Sequence, residues 1–357
     1  MQALLFNNKT KELTFKEDQP LPKIELGNEV LIKVAYAGVC GTDLHITEGQ
    51  FMVQEHFPVI LGHEFSGEVV EIGKDVKTLK IGDKVVVDPN RGCGVCKHCQ
   101  SGHPNYCAPG YEANTIGIYK HGGWANYCVA PVEQVIKAPP GIELEQAALA
   151  EPLSCISHAY DLIQPLGDRI LIQGGGIIGI LWMCVLHSKG FRNVTVTEAC
   201  ESRLRIAEHL NLGFRVIHAD RLKCEVEGGC EFFDAVIDCS GNVSAIELGL
   251  TIVQRGGKFC MFGVSPPGAT VSLKPYIIFQ REIRVYGIRV NPYSVPKAVD
   301  IIESLGKKYL TLEHLGVRVY KLSNYNSTHV FNDISHDLMP LGSSHLRKNQ
   351  KFTKVIS

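Results

Sequence analysis

The chain has 357 residues, beyond the size at which one hydrophobic core keeps growing, so two structural units are expected. Lys and Arg number 36 against 37 Asp and Glu, which excludes the basic surplus of a nucleic-acid or anionic-membrane binder and favours a small-molecule partner. Thirteen cysteines, five of them in metal-like spacings, argue against a disulfide framework and for a reducing, cytoplasmic setting; no leader-like segment or membrane span is expected.

From Gln2 to about Pro140, short β-rich runs such as 30–34, 68–72 and 84–87 alternate with Gly, Pro and Asp punctuation, predicting a β-dominated unit with its Cys and His residues in the connections. After Pro165 the pattern changes to strand 169–172, helix 177–189, strand 193–197 and helix 202–212, a βαβ rhythm. Strands at 235–238, 258–262 and 283–286, with a helix over 244–253, extend it to a parallel, doubly wound sheet. A helix over about 294–305 and a polar tail follow, and the tail is expected to return to the first unit.

Cys93, Cys96, Cys99 and Cys107 form C-x2-C-x2-C-x7-C in a loop rich in Gly, His and Lys. Four thiolates close a tetrahedral shell and leave no open position, so the metal, zinc by ligand softness, should order a lobe and do no chemistry. His98 and His103 are read as bystanders. Elsewhere, Cys40-Gly41-Thr42-Asp43-Leu44-His45 and Gly62-His63-Glu64 supply a thiolate, an imidazole and a carboxylate from two loops, the mixed set found where zinc keeps an open position.

Gly174-Gly175-Gly176-Ile177-Ile178-Gly179 follows a predicted strand and opens a predicted helix, the context that makes GxGxxG a dinucleotide fingerprint: the glycines allow close backbone approach to a pyrophosphate at the helix N-terminus. Gly174, Gly176, Ile178 and Gly179 are thus cofactor-binding candidates. Glu198, at the end of the next strand, can accept hydrogen bonds from ribose hydroxyls and would repel a 2′-phosphate, favouring NAD over NADP.

The CGTDLH and GHE segments, the four-cysteine loop and the glycine motif occur in the order found in medium-chain zinc alcohol dehydrogenases, and the resemblance covers nearly the whole chain. It implies a GroES-like β-rich catalytic domain over 1–150, with 291–357 returning to it, and a Rossmann NAD-binding domain over 151–290. It also implies Cys40 and His63 as ligands of a catalytic zinc, Glu64 as a third ligand or a close neighbour of the ligands, and Thr42 and His45 as a proton relay. Glu151-Pro152-Leu153 resembles the sorbitol-dehydrogenase branch, where a carboxylate replaces a cysteine; Glu151 would reach zinc directly or through water. Arg203 matches a position near the adenosine, although a solvated helix residue would read the same. Phe262-Gly263-Val264 and Gly287-Ile288-Arg289 resemble strand ends lining the nicotinamide side, and Asp238-Cys239-Ser240-Gly241 resembles another strand end beside the cofactor.

Two departures stand out. Ile177 occupies a turn position where many relatives have proline, and residues 338–352 intervene before a Lys354-Val355-Ile356 ending. His121-Gly122-Gly123-Trp124-Ala125 looks closer to threonine or butanediol dehydrogenases than to sorbitol dehydrogenase. The expected function is oxidation of a polyol or vicinal diol at a secondary carbon, with two zinc ions per chain, NAD and a homodimer or homotetramer. Threonine- and butanediol-type dehydrogenases are the rivals. A non-catalytic structural protein on the same fold would not need the metal ligands and relay residues together.

Overall fold

The computed structural model describes residues 1–49, 58–165, 167, 169–229 and 232–326. The expected insertion at 338–352 and the Lys354-Val355-Ile356 ending lie outside the described residues.

The first half is built of antiparallel strands. β1 (Ala3–Asn7) pairs with β2 (Glu12–Lys16) and with the short β4 (Val59–Ile60). A five-stranded sheet runs in the order β7 (Tyr127–Pro131), β3 (Glu29–Ala37), β5 (Phe65–Ile72), β6 (Lys84–Val87) and β8 (Val135–Lys137). In β7 alternation sends Cys128 and Ala130 inward, the period-2 pattern of a strand with one covered face. Phe6, Phe65 and Trp124 are fully buried in the resulting core. Three short helices sit in its connections: α1 (Gly41–Thr47) after β3, then α2 (Lys97–Gln100) and α3 (Ala108–Asn114) in the cysteine-rich lobe between β6 and β7.

The chain then crosses through α4 (Leu144–Ala147) and α5 (Ala150–Ile163). Pro152 lies in the first turn of α5, where its missing N–H removes no intrahelical bond. The second half is a six-stranded parallel sheet: β9 (Ile170–Gln173), β10 (Val194–Glu198), β11 (Arg215–His218), β12 (Phe233–Asp238), β13 (Val253–Met261) and β14 (Arg284–Gly287). Its order, β11-β10-β9-β12-β13-β14, reverses direction beside β9, the doubly wound topology whose switch point forms a ligand crevice at the carboxyl ends of the strands. The linking helices are α6 (Ile177–Ser188), α7 (Glu201–His209), α8 (Ala219–Glu227), α9 (Val243–Ile252) and α10 (Pro275–Arg281); α11 (Val295–Tyr309) follows the sheet.

Both sheet faces are covered. On one side α5, α6 and α11 enclose the largest core, and α6 is apolar all round because it is buried on most sides, with Trp182 at its centre. Leu250 of α9 and Leu222 of α8 fill the other side with Phe233 and Phe259. Past α11, Tyr320 and Leu322 pack into the core of the first half.

The helices predicted over 177–189, 202–212, 244–253 and 294–305 are present with ends shifted by a few residues. β13 starts at Val253, five residues earlier than predicted, because Gly256 (φ 71°) and Gly257 lie within an irregular part of the strand that pairs with β12 through a register shift. Among the described residues, no helix is long and apolar enough to cross a membrane.

Candidate metal and cofactor site

Cys40 precedes α1 in an extended conformation and serves as its N-cap position, while His63 and Glu64 enter on the turn between β4 and β5. The turn is braced by the segment from His121 to Trp124. Gly122 and Trp124 donate backbone N–H groups to the carbonyls of Ile60 and Leu61, Gly123 donates to Gly62, and Ile60 donates to His121 Nδ1 at 3.1 Å. Gly62 has φ 91°, and any side chain there would collide with Trp124. A side chain at Gly38 would likewise strike the Glu64 carboxylate. The motif noted as a mark of subgroup is thus the structural backing of the His63 loop.

Donor atoms of Cys40, His63 and Glu64 lie within 4.8 Å of one another, with His63 and Glu64 buried. Sulfur, nitrogen and oxygen donors gathered under cover are the chemistry of an open zinc site. Asp43, absent from the predicted site, is fully buried in the first turn of α1. One of its oxygens accepts the Cys40 N–H at 2.8 Å, and the other faces His63 Nδ1 at 3.4 Å. A carboxylate facing Nδ1 is placed to orient the imidazole with Nε2 toward a metal, so the residues fit the ion. Burial disfavours the His63 imidazolium, but Asp43 and Cys40 outweigh it and hold its pKa well above the ordinary histidine value.

Glu151, in the first turn of α5, is buried but is not part of the group formed by Cys40, His63 and Glu64. One helical turn later, Cys155 donates its thiol to Glu151 Oε1 at 3.5 Å. Burial first, then the negative charges of Glu151, Cys40 and Glu64, push that thiol well above its usual range. Cys155 is therefore a neutral wall of the site, a second residue missed from the sequence. Its i, i+4 spacing from Glu151 was the available signal. Thr42 and His45 lie three apart on α1, both half-buried.

The four-cysteine group also assembles. Cys93, Cys96, Cys99 and Cys107 Sγ atoms lie within 4.8 Å of one another, with Cys96 and Cys99 at 3.6 Å. Cys96 is the N-cap residue of α2, and Cys107 that of α3, where its sulfur accepts the Gly110 N–H at 3.3 Å. Backbone N–H groups of Val95 and Cys96 draw the Cys93 thiol down to about 6, whereas burial pushes Cys99 up to about 11.

At the other side of the cleft, the strand register aligns Gln173, Asp238, Met261 and Gly287 across the carboxyl edge of the parallel sheet. The predicted cofactor segments leave from that edge. Gly174 turns with φ 103°, and a side chain at Gly179 would collide with the Gly174 carbonyl, so helix and turn can meet only with glycine at that position. Gly176 caps α6, with Ile178 in its first turn. Phe262 stacks edge-on against Trp182, Gly263 donates to the Asp238 carbonyl, Val264 is exposed, and Ile288 donates to the Met261 carbonyl. Asp238 accepts from Ser240 and Gly241 and so shapes the adjoining loop.

Glu198 ends β10 buried, with its carboxylate held by three backbone donors: Gly175 at 2.8 Å, Ala199 at 2.8 Å and Cys200 at 2.9 Å. It therefore ties the glycine turn to the next strand and stands as a fixed charge beside it. Arg203 is half-buried in the first turn of α7.

Residues 27–140 match the alcohol dehydrogenase GroES-like domain, and residues 178–304 match the zinc-binding dehydrogenase domain. The chain is 34% identical over 332 residues to D-arabinitol dehydrogenase 1 of Uromyces fabae, covering 91% of this chain and 92% of the relative. It is 33% identical over 257 residues to L-threonine 3-dehydrogenase of Legionella pneumophila strain Corby, covering 70% and 74%. In structure it resembles a zinc-binding dehydrogenase of Sinorhizobium meliloti 1021 bound to NADP, with TM-score 0.82, 27% identity, and 99% and 98% coverage. The chain belongs to the zinc-binding medium-chain dehydrogenase family. With the family's two domains and metal-ligand groups in place, it is an NAD-dependent zinc oxidoreductase.

Proposed function

We propose that this enzyme oxidises a polyol or vicinal diol at a secondary carbon, forming a ketose or ketone, with NAD preferred over NADP. The observation that carries the reading is the group of half-buried Cys40 with buried His63 and Glu64, with Asp43 behind the imidazole and Glu151, not a cysteine, on the facing helix. Bound there, zinc would supply Lewis acidity to a substrate hydroxyl, and NAD would accept the hydride. Cys40, His63 and Glu64 would hold the metal, and Cys93, Cys96, Cys99 and Cys107 a second, structural ion. Thr42 takes the hydroxyl proton and His45 hands it to solvent. Glu151 supplies a carboxylate on the substrate side.

The cofactor would lie along the carboxyl edge of the sheet: its pyrophosphate at Gly174, Gly176, Ile178 and Gly179, its adenosine between Glu198 and Arg203, and its nicotinamide against Phe262, Gly263, Val264, Ile288 and Arg289. The fixed charge of Glu198 supports NAD, since a 2′-phosphate would meet a buried carboxylate. The NADP in the Sinorhizobium relative is the counterweight. In this reading residues 1–150 with 291–357 form the catalytic unit and 151–290 the NAD unit, in a cytoplasmic enzyme. Exposed Tyr276 and Phe279 on α10, beside Val285 on the edge strand β14, support a dimer or tetramer.

The second reading, a threonine- or butanediol-type dehydrogenase, is favoured by the segment from His121 to Ala125 and by the Legionella relative. Initial rates with arabinitol, sorbitol, 2,3-butanediol and L-threonine, each with NAD and NADP, separate the two. The polyols, arabinitol and sorbitol, should give the highest kcat/KM; a preference for threonine or for 2,3-butanediol would replace the first reading by the second.

A further inference from the structure

The four-cysteine lobe and the strand end after β14 are joined by a polar clasp that neither metal coordination nor cofactor binding requires. Asp88, just past β6, is anchored through its backbone: its N–H donates to the Gln134 carbonyl at 2.7 Å and its carbonyl accepts from Gln134 Nε2 at 2.9 Å. Its side chain reaches across to the other half, where Oδ1 accepts from Asn291 Nδ2 at 3.1 Å as well as from the Asn90 N–H at 3.1 Å. Asn90 Nδ2 closes the ring by donating to Asn291 Oδ1. From the cysteine lobe, buried Asn105 donates to the Arg289 carbonyl at 3.4 Å, and the Tyr111 ring lies 5.4 Å from the Arg289 guanidinium.

Between Arg289 and Asn291 stands Val290, with φ 48°. A β-branched residue there is strained, and such a conformation persists only where surrounding contacts over-determine it. Those contacts are the clasp. Asn291 is 2% exposed, so the amide that meets Asp88 and Asn90 has no water to replace them.

We propose that Asp88 and Asn291 are positioning residues: the clasp holds the bent segment from Ile288 to Asn291 in the conformation that completes the nicotinamide side of the cleft, registered against the half that carries Cys40 and His63. The four-cysteine lobe, through Asn105 and Tyr111, is part of the same clasp, which couples its order to cofactor affinity. The cofactor part of this proposal rests on the function proposed above; the mechanical part does not.

The test uses the zinc-loaded full chain and three variants, Asn291→Ala, Asp88→Ala and Asp88→Asn, read by amide hydrogen exchange over residues 284–293, NADH affinity by fluorescence, and zinc content. Asn291→Ala and Asp88→Ala should speed exchange in that segment about tenfold and raise the NADH Kd about fivefold, with both zinc ions retained. Asp88→Asn should stay near wild type, because its carbonyl oxygen still accepts both N–H groups. Should Asp88→Ala fail to fold, Asn291→Ala carries the test alone. Unchanged exchange and NADH affinity in Asn291→Ala would overturn the proposal, as would an Asp88→Asn variant no better than Asp88→Ala. Faster exchange in a protein whose wild type binds no NADH would support the clasp and overturn the function proposed above.

Discussion

The two metal-ligand groups differ in how the chain builds them. The four cysteines come from one short stretch in which two helix caps and a few turns bring the sulfurs together. Cys40, His63 and Glu64 come from separate loops, held by the first core through Gly38, Gly62 and Trp124 and backed by Asp43. A local group has no need of an external carboxylate to orient its ligands, and it has no position left for a substrate. The dispersed group has both, so removing its ligands should remove chemistry, whereas removing a cysteine of the lobe should remove order.

The largest expected effect follows from that contrast. His63→Ala should lower kcat/KM by at least ~10³-fold, the several kcal/mol that a Lewis acid supplies, while thermal stability and one zinc per chain are kept. Retention of activity with only the cysteine-bound zinc would break the assignment of roles. Cys93→Ser should do the reverse, losing the lobe's zinc and lowering Tm by on the order of 10 °C, since each kcal/mol shifts a domain of this size by about 2–4 °C. Calorimetry with metal analysis checks it, and an unshifted Tm with both ions present would contradict a structural site.

Asp43→Asn sharpens the comparison, because it alters no ligand. Loss of the carboxylate behind His63 should weaken zinc binding or activity about 10–100-fold, seen in competition with a chelator. Glu198→Ala acts on the other side of the cleft and should narrow the NAD to NADP ratio of kcat/KM by roughly tenfold, about 1.4 kcal/mol. An unchanged ratio would mean that the carboxylate serves only to tie Gly175 to β10.

The remaining effect is on pH. Burial lifts the Asp88 pKa from its ordinary 3.8 to about 7. The unfolded chain therefore loses this proton first, and its contribution to stability, full below the unfolded pKa, declines as pH rises until it is gone above about 7. Denaturation midpoints between pH 4 and 8 should fall less steeply in Asp88→Asn than in wild type; equal slopes would remove Asp88 as the source.

Much of the site could be read from the residues in order. The Cys40 and His63 segments show their donor types in sequence, while their meeting depends on the first core. The four-cysteine spacing and the glycine turn between strand and helix each involve neighbours in sequence, so spacing alone carries their geometry. The βαβ rhythm was legible for the same reason, since hydrogen bonding within a helix and alternation along a strand are local. α5 was not, because proline in its first turn and a mixed polar face hide the helical period. Asp43 stood inside a motif that was read, yet nothing in its spacing says that it is fully buried against His63. Cys155 entered the site only because α5 packs beside the loops carrying Cys40 and Glu64. Asp88 and Asn291 meet only because a strand end of one half lies against a strand end of the other. Residue type and spacing determine which groups are available as donors and which segments form elements. Which polar side chain meets which depends on where distant elements pack, and those contacts, with full burial for Asp43 and partial burial for Cys155 and Asp88, turn ordinary residues into parts of the site and its support.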